Sequence, residues 1–317
     1  MTGTPLAVAI MTDETGWHTS RLKRALRERG AQGRCVDLAD CRFDTTHAPH
    51  GLAIPGYGRS LPDAVIVRGI AGGTFEQVTV RLGILHALRE LGVPVYNDAR
   101  AIERSVDKSM TTFLLHRAGI PTPPTWVGES APFAQRVLMR EATQGHEVVI
   151  KPLFGSQGKG VMRIGASREG CEPLPALKAY GQLAYLQRFV RPVSEPGYDW
   201  RVMVIGGKAV TAMRRISAHW VHNVAQGARC EAAELGAPLA ALAERASAAL
   251  GLDYAGVDLM PCDDNAFGAT VIEVNGVAAW RGLQSVTSFD IAGCIVEDLL
   301  SRRMARGLRA AGIQEVA

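Results

Sequence analysis

Lysine is scarce in this chain. Of 35 cationic residues in 317, only six are lysine: Lys23, Lys108, Lys151, Lys159, Lys178 and Lys208. Where arginine is the default cation, a retained lysine marks a position that needs a compact ammonium on a flexible stem. The six cysteines (Cys35, Cys41, Cys171, Cys230, Cys262 and Cys294) form no CxxC pair and no Cys/His cluster at zinc-ligand spacing, which leaves them as structural thiols. Charge of one sign is also lacking. The net charge is only +4, cations and anions are interspersed, and no basic tail or stripe suits a nucleic acid, so none is expected as a partner. No segment reaches the ~20 apolar residues a membrane span needs. The N-terminal TPLAVAIMTDETGWHTS reads as a first strand, not a signal peptide, and the expectation is a cytoplasmic protein without a membrane partner.

What is present is an ordinary globular composition, with 47% hydrophobic and 21% charged residues. The length suits two or three packed subdomains around a shared site. Strands alternate with helices at the start: Leu6–Met11, a helix over 18–29, a strand over 33–36, a loop over 45–60, the buried strand PDAVIVRG (62–69), a helix over 78–92 and the strand VPVYN (93–97). This pattern implies an open α/β domain over residues 1–98, with Arg68 at the carboxyl edge where such sheets hold ligands. A helix over 105–118, the PTPPTW linker, a helix over 131–144, the strand EVVIKP and the loop FGSQGKG make a second segment, 99–183. A third, 184–317, holds the strands LAYLQRFV, DWRVMVIGG, KAVTAMRRI, YAGVDLM and ATVIEVN and helices over 234–250 and 289–305. The fold class is therefore α/β, with two α+β units after the N-terminal domain.

GSQGKG (155–160) fails as a P-loop, because Gly160 stands where Ser or Thr should follow the lysine, and a strand comes next. The alternatives are a tight turn or a glycine-rich hairpin whose backbone amides lie over phosphates. Lys151 ends the strand entering that loop, and Lys108 follows Asp107 at the head of a helix. Both are placed to reach a nucleotide, although a helix-head lysine is by itself an ordinary surface residue. Period-two alternation puts Glu273 and Asn275 on one face of their strand, and an antiparallel neighbour can bring Asp258 to it. Two carboxylates and an amide oxygen suit Mg²⁺ bridging phosphates. The competing arrangement pairs Asp258 and Glu273 with Arg201 or Arg215, which would leave the asparagine without a purpose.

The order Asp107-Lys108, strand–Lys151–hairpin, LQRFV, DWR, MRRI, GVD and ExN resembles the ATP-grasp ligases over about residues 60–302. The closest likeness is to the RimK-like branch, which adds glutamate to a ribosomal protein or to cofactors such as tetrahydromethanopterin and coenzyme F420. The resemblance implies an ATP-grasp fold in which Lys108 and Lys151 bind ATP phosphates under a hairpin of Gly155, Ser156, Gln157, Gly158 and Gly160. It sets Gln187, Phe189 and Val190 against adenine, Asp199 and Asn223 near the nucleotide, and Arg215 at the transferring phosphate. Asp258, Glu273 and Asn275 match the ligands of Mg²⁺ or Mn²⁺. The chain departs from that branch after the metal strand, where it reads Asn275-Gly276-Val277-Ala278-Ala279-Trp280-Arg281-Gly282. It also has Met213 where a glutamate usually precedes the double arginine, and His219 and His222 in the loop that usually carries an arginine.

By resemblance, the reaction joins a carboxylate to an amine through an acyl phosphate, releasing ADP. The partners implied are a small-molecule carboxylate acceptor of tetrahydromethanopterin or methylofuran type and an amino acid, with glutamate favoured; homo-oligomerisation is left open. A ligase acting on a protein C-terminus, a small-molecule kinase and a regulatory ATP-binding protein are the alternatives.

Overall fold

The computed structural model describes residues 5–155, 157–167 and 170–310. Its N-terminal unit opens with β1 (Leu6–Met11), α1 (Trp17–Glu28) and β2 (Ala31–Val36). The loop expected over 45–60 is interrupted, because β3 (Arg42–Phe43) pairs antiparallel with β4 (Leu52–Ala53). β5 (Ala64–Val67), α2 (Phe75–Glu90) and β6 (Val95–Tyr96) complete a parallel sheet of order β2-β1-β5-β6. Buried on both faces, β1 and β5 are near-continuous apolar runs, as parallel strands require. α2 starts at a capping box, in which the Thr74 hydroxyl accepts from Gln77 N–H and the Gln77 side chain accepts from Thr74 N–H.

The helix expected over 105–118 is α4 (Lys108–Arg117), and an unexpected helix, α3 (Ala99–Val106), precedes it. Asp107 divides them. Its backbone is extended, and its Oδ1 accepts from Ser109 N–H and Met110 N–H, so the side chain caps a new helix instead of continuing the old one. Lys108 is thereby the first residue of α4.

The central sheet has the order β7-β12-β8-β9, all antiparallel, from β7 (Thr125–Gly128), β8 (Val148–Lys151), β9 (Met162–Ile164) and β12 (Ala184–Arg188). Between them lie α5 (Ala131–Thr143), which packs Ala134, Val137 and Leu138 on the sheet, and a small ladder of β10 (Ala166–Ser167) and β11 (Gly170–Cys171). Two sequence expectations change here. The PTPPTW linker contributes strand β7, and the LAYLQRFV strand assigned to the third segment lies inside this sheet, between β7 and β8.

The last sheet has the order β15-β14-β13-β16-β17, from β13 (Gly197–Ile205), β14 (Lys208–Ser217), β15 (Arg229–Ala233), β16 (Tyr254–Pro261) and β17 (Ala269–Asn275). One face is covered by α6 (Ala237–Leu250), with Ala101 of α3 and Leu115 of α4 in the same cluster. The other face is divided. Toward one end Met203, Ile205 and Tyr254 pack with α1 and with α8 (Ile291–Ala310), and the short α7 (Arg281–Gln284) lies beside them. Toward the other end the same face carries charged residues and opens to solvent.

Asn97, fully buried, fastens the N-terminal unit to this sheet. Its Nδ2 donates to the carbonyls of Tyr254 (2.7 Å) and Gly276 (2.6 Å), and its Oδ1 accepts from Asp253 N–H (2.5 Å) and Tyr254 N–H (3.0 Å). The side chain thus uses all four of its hydrogen-bonding positions.

Candidate active site

A cleft between the central and C-terminal sheets gathers most of the residues singled out from sequence. Lys151, Gly155, Gln157, Gly158, Gln187, Phe189 and Val190 line its central-sheet side; Asp199, Arg215, Asn223, Asp258 and Glu273 line the other, and Lys108 reaches in from α4. Gly160 and Asn275 lie off its wall, and Ser156 is outside the described residues.

Lys151 ends β8 on the face that β12 shares, so its Nζ donates to Gln187 Oε1 at 2.6 Å; Gln187 Nε2 in turn donates to Thr125 Oγ1 at 3.0 Å. Gln187, expected against adenine, has its amide engaged in aiming Lys151. Burial pushes the Lys151 ammonium down to about 8, against the pull of Glu273. Lys108, whose pKa burial also lowers, donates to the carbonyls of Leu153 (3.2 Å) and Gly155 (2.9 Å) and stands 4.0 Å from Glu273 Oε1. It ties the hairpin's base to the acidic strand.

The depressed lysine makes a pH prediction. Below about 8 Lys151 carries the charge that phosphate requires; above it the free enzyme loses that charge. We expect kcat/KM for ATP to fall on the alkaline side with an apparent pKa near 8, and this limb to disappear in K151M, which starts from a low plateau. Folding stability shows the opposite sense. The unfolded chain binds more protons between about 8 and the ordinary lysine value of 10.5, so this group's contribution to stability rises across that window. A pH–rate profile alongside melts at the same pH values checks both signs.

The turn at Gln157 and Gly158 leans on the loop that follows β14. Gln226 Nε2 donates to Gln157 O at 3.2 Å, and Gly158 has φ 71° in close contact with that loop. A Cβ at Gly158 would come within 2.7 Å of Val221 and 2.9 Å of Asn223 Oδ1, so only glycine allows this approach. Phe189 meets the edge of Trp220, ring centres 5.8 Å apart, and lies under the Arg163 guanidinium. His222, noted from sequence in the loop that usually carries an arginine, lines the cleft, as do Trp220 and Val221, which the sequence motifs did not include. The available signal was an aromatic residue in an otherwise polar loop, SAHWVHN. His222 is 4% exposed, its Nε2 has no hydrogen-bond partner among the described residues, and burial with nearby Arg215 pushes its pKa down to about 4.

Strand register builds the charged face. Asp199 lies opposite Arg215, Arg201 opposite Asp258, and Asp258 opposite Glu273. A bulge leaves Ile272 unpaired between Val271 and Glu273, re-aiming the strand at the rim of the cleft. Arg215, 4% exposed, donates to Asp199 Oδ1 (2.7 Å) and Oδ2 (2.5 Å) and stands 3.1 Å from Asp258 Oδ2. Arg201 grips Asp258 with two hydrogen bonds. Burial would raise the Asp258 carboxyl, but Arg201 and Arg215 hold it below the usual range; at Asp199 burial prevails and lifts it to about 6.

The arrangement weighed second from sequence is thus realised at Asp258, which is paired with both Arg201 and Arg215. Two buried guanidinium groups need a carboxylate as much as a metal does. Asp199, expected beside the nucleotide, has both oxygens on Arg215. Asn275 is not left idle, since its Nδ2 donates to Gly256 O at 3.2 Å. Glu273 remains, facing the cleft between Lys108 and Asp258. Among the described residues no three His, Cys, Asp or Glu side chains converge. Of the three oxygen donors expected for a metal, Asp258 is held by two guanidinium groups, Asn275 lies off the cleft wall and Glu273 faces the cleft.

Among the described residues no helix is long and apolar enough to cross a membrane. Comparison with known proteins agrees with the geometry. Residues 105–299 match the RimK-like ATP-grasp domain and residues 6–102 the RimK PreATP-grasp domain. The tetrahydromethanopterin:alpha-L-glutamate ligase of Methanococcus maripaludis is 30% identical, with 93% of this chain and 98% of the relative covered. Its namesake from Methanosarcina acetivorans is 32% identical with the same coverage. In fold, the chain is similar to the ATP-grasp ligase PsnB, solved with a phosphomimetic variant of a minimal precursor, Mg and ADP. The TM-score is 0.71 at 20% identity, covering 95% of this chain and 100% of PsnB. The chain belongs to the RimK-like ATP-grasp family and is an ATP-dependent ligase.

Proposed function

We propose that this ligase adds L-glutamate, through its amino group, to a carboxylate on a small-molecule cofactor of tetrahydromethanopterin or methylofuran type. The observation that carries the ligase chemistry is the convergence of Lys108, Lys151, Arg215, Asp258 and Glu273 on one cleft beside a glycine-rich hairpin. The substrate assignment draws on the relatives' names and on coverage of 98% of their length. ATP and glutamate would both come from the cytoplasm.

In this reading an oxygen of the acceptor carboxylate attacks the γ-phosphorus, and the bond to the β-phosphate oxygen breaks to release ADP. Lys108 and Lys151 neutralise the phosphates, and Arg215 faces the group in transit. The Arg215 fork, kept rigid by Asp199, is preorganised for trigonal oxygens and is worth more in a water-poor cleft than in solvent. Asp258, Glu273 and Asn275 would hold Mg²⁺, or Mn²⁺ on the same oxygen donors, which screens the triphosphate's charge. The glutamate amine then attacks the acyl carbon, the acyl–oxygen bond breaks, and phosphate leaves. The hairpin, docked on the 221–226 loop, keeps water from the acyl phosphate.

Mass spectrometry of reactions containing ATP, Mg²⁺, L-glutamate and tetrahydromethanopterin, methylofuran or coenzyme F420 tests the reading. The expected outcome is an acceptor heavier by one or more glutamyl residues, with one ADP and one phosphate per amide. AMP as the stoichiometric product, or a stable phosphorylated acceptor formed without any amine, would sink it.

A further inference from the structure

The turn after the acidic strand touches two places at once. On one side Arg201 Nη1 donates to Ala279 O at 3.5 Å, next to Asp258. On the other, Arg68 Nη1 donates to Val277 O at 3.0 Å, and its guanidinium stands 5.1 Å from the centre of the Trp280 ring. Trp280 is 1% exposed and packed in the core; its backbone N–H donates to His18 Nε2 at 3.0 Å, and the His18 ring meets the indole edge-on. The indole is therefore a support for Arg68 and not an open face for a ligand.

Arg68 follows β5 at its carboxyl end, beside the end of β1. In the order β2-β1-β5-β6 the chain leaves β1 toward β2 on one side and returns to β5 on the other. The crevice between β1 and β5 is thus a topological switch point, where open parallel sheets hold ligands. The turn containing Val277 and Ala279 links this crevice to the Arg201–Asp258 end of the active site.

The charge of Arg68 is not neutralised by a carboxylate among the described residues, although its Nη1 donates to Val277 O. Arg201 and Arg215 are neutralised by Asp258 and Asp199, and Arg81 donates to the carbonyls of Ala71 and Gly72. Arg68, only partly exposed, ion-pairs with no carboxylate among the described residues, and its Nε is buried without a hydrogen-bond partner. Asp13 is near, its Oδ1 against Gly69, yet outside ion-pair range of Arg68. Arg281 is exposed and likewise makes no ion pair among the described residues. Both arginines act on His18, which burial and their charge keep neutral, its pKa pushed down to about 4. A cation held half out of water on an aromatic ring, with donors unspent, is arranged to receive an anion.

We propose that Arg68, seated on Trp280 and assisted by Arg281, binds a substrate carboxylate that does not itself react. The carboxylate belongs either to the acid acceptor or to the incoming amino acid. This inference rests on the ligase reading above. Trp280 acts as a positioning residue, and the departure of GVAAWRG from the family's usual turn is what supplies it.

The test is saturation kinetics of the full chain with ATP, Mg²⁺, tetrahydromethanopterin and L-glutamate, comparing wild type with R68M, R68K and R281A. R68M is expected to raise KM for one of the two substrates by about 10- to 100-fold, the usual worth of a hydrogen bond to a charged group. KM for ATP should stay unchanged. R68K should recover part of the loss, and R281A should cost about threefold. Glutamate's KM moving alone assigns the carboxylate to the amino acid; the pterin's moving alone assigns it to the acceptor. An analogue bearing that carboxylate as an amide should bind weakly to wild type and no more weakly to R68M, a signature that general destabilisation does not give. If R68M melts early, R68K and R281A decide, and unchanged KM values in both overturn the proposal. Wild-type turnover with no KM change in R68M overturns it alone. A wild type that binds Mg·ATP but conjugates none of tetrahydromethanopterin, methylofuran and coenzyme F420 removes it together with the proposed function.

Discussion

Replacing Arg215 with methionine is expected to lower kcat by about 10³-fold, with KM for ATP changing much less. A guanidinium that meets the transferring phosphoryl group acts mainly in the transition state, and loss of such a group typically costs 10³-fold or more. The side chain also holds Asp199 and Asp258 together, so its removal leaves two buried carboxylates short of a cation. Breaking a buried pair this way costs about 3–5 kcal/mol, partly relieved because Asp199, already lifted to about 6, can take up a proton. R215K separates the two effects. It keeps a charge beside both carboxylates but loses the planar fork, so it should melt close to wild type and still lose about 10²-fold in kcat. Single-turnover measurement of phosphoryl transfer, with a thermal melt of each variant, decides the matter. An R215M variant that folds and keeps kcat within tenfold of wild type would reduce Arg215 to a structural residue.

Asn97→Ala should be the most damaging single change far from the chemistry. It leaves the N–H groups of Asp253 and Tyr254 and the carbonyls of Tyr254 and Gly276 without their partner in a buried seam. With about 1–3 kcal/mol for each stranded group and some repaid by water, a loss of roughly 4 kcal/mol is expected, or about 10 °C in Tm. The same seam anchors Gly276, the residue after Asn275, so surviving protein should also bind Mg²⁺·ATP more weakly. Differential scanning calorimetry provides the check. A loss below 1 kcal/mol would mean that the seam is wet or relaxes freely.

Much of this architecture was legible in advance because its signals are local. Leu6–Met11 and Ala269–Asn275 are continuous apolar or alternating runs bounded by turns, and both strands end where the pattern ends. The short pieces were not legible. β7 and β15 have only four and five residues, too few for an alternating pattern to show, and pairing across the sheet makes them strands. α3 has eight residues, too few for a helical period to stand out, and its end shows only in the Asp107 carboxylate capping the next helix.

The same division holds at the site. The residue types and their spacing carried the lysines, the glycine hairpin and the acid–asparagine strand, since alternation alone puts Glu273 and Asn275 on one face. Partner choice was decided elsewhere. Asp258 meets Arg201 because β13 lies beside β16 in one particular register, and shifting that register by one residue would turn every side chain of the strand to the other face. Gln187 aims Lys151 because β12 inserts between β7 and β8, a sheet order that no local pattern encodes. Trp280 becomes a seat for Arg68 only when residues more than 200 positions apart are folded together. Composition and periodicity specify which groups are available along the chain; long-range strand order and packing specify which charges meet, because a charge removed from water must find its partner in three dimensions.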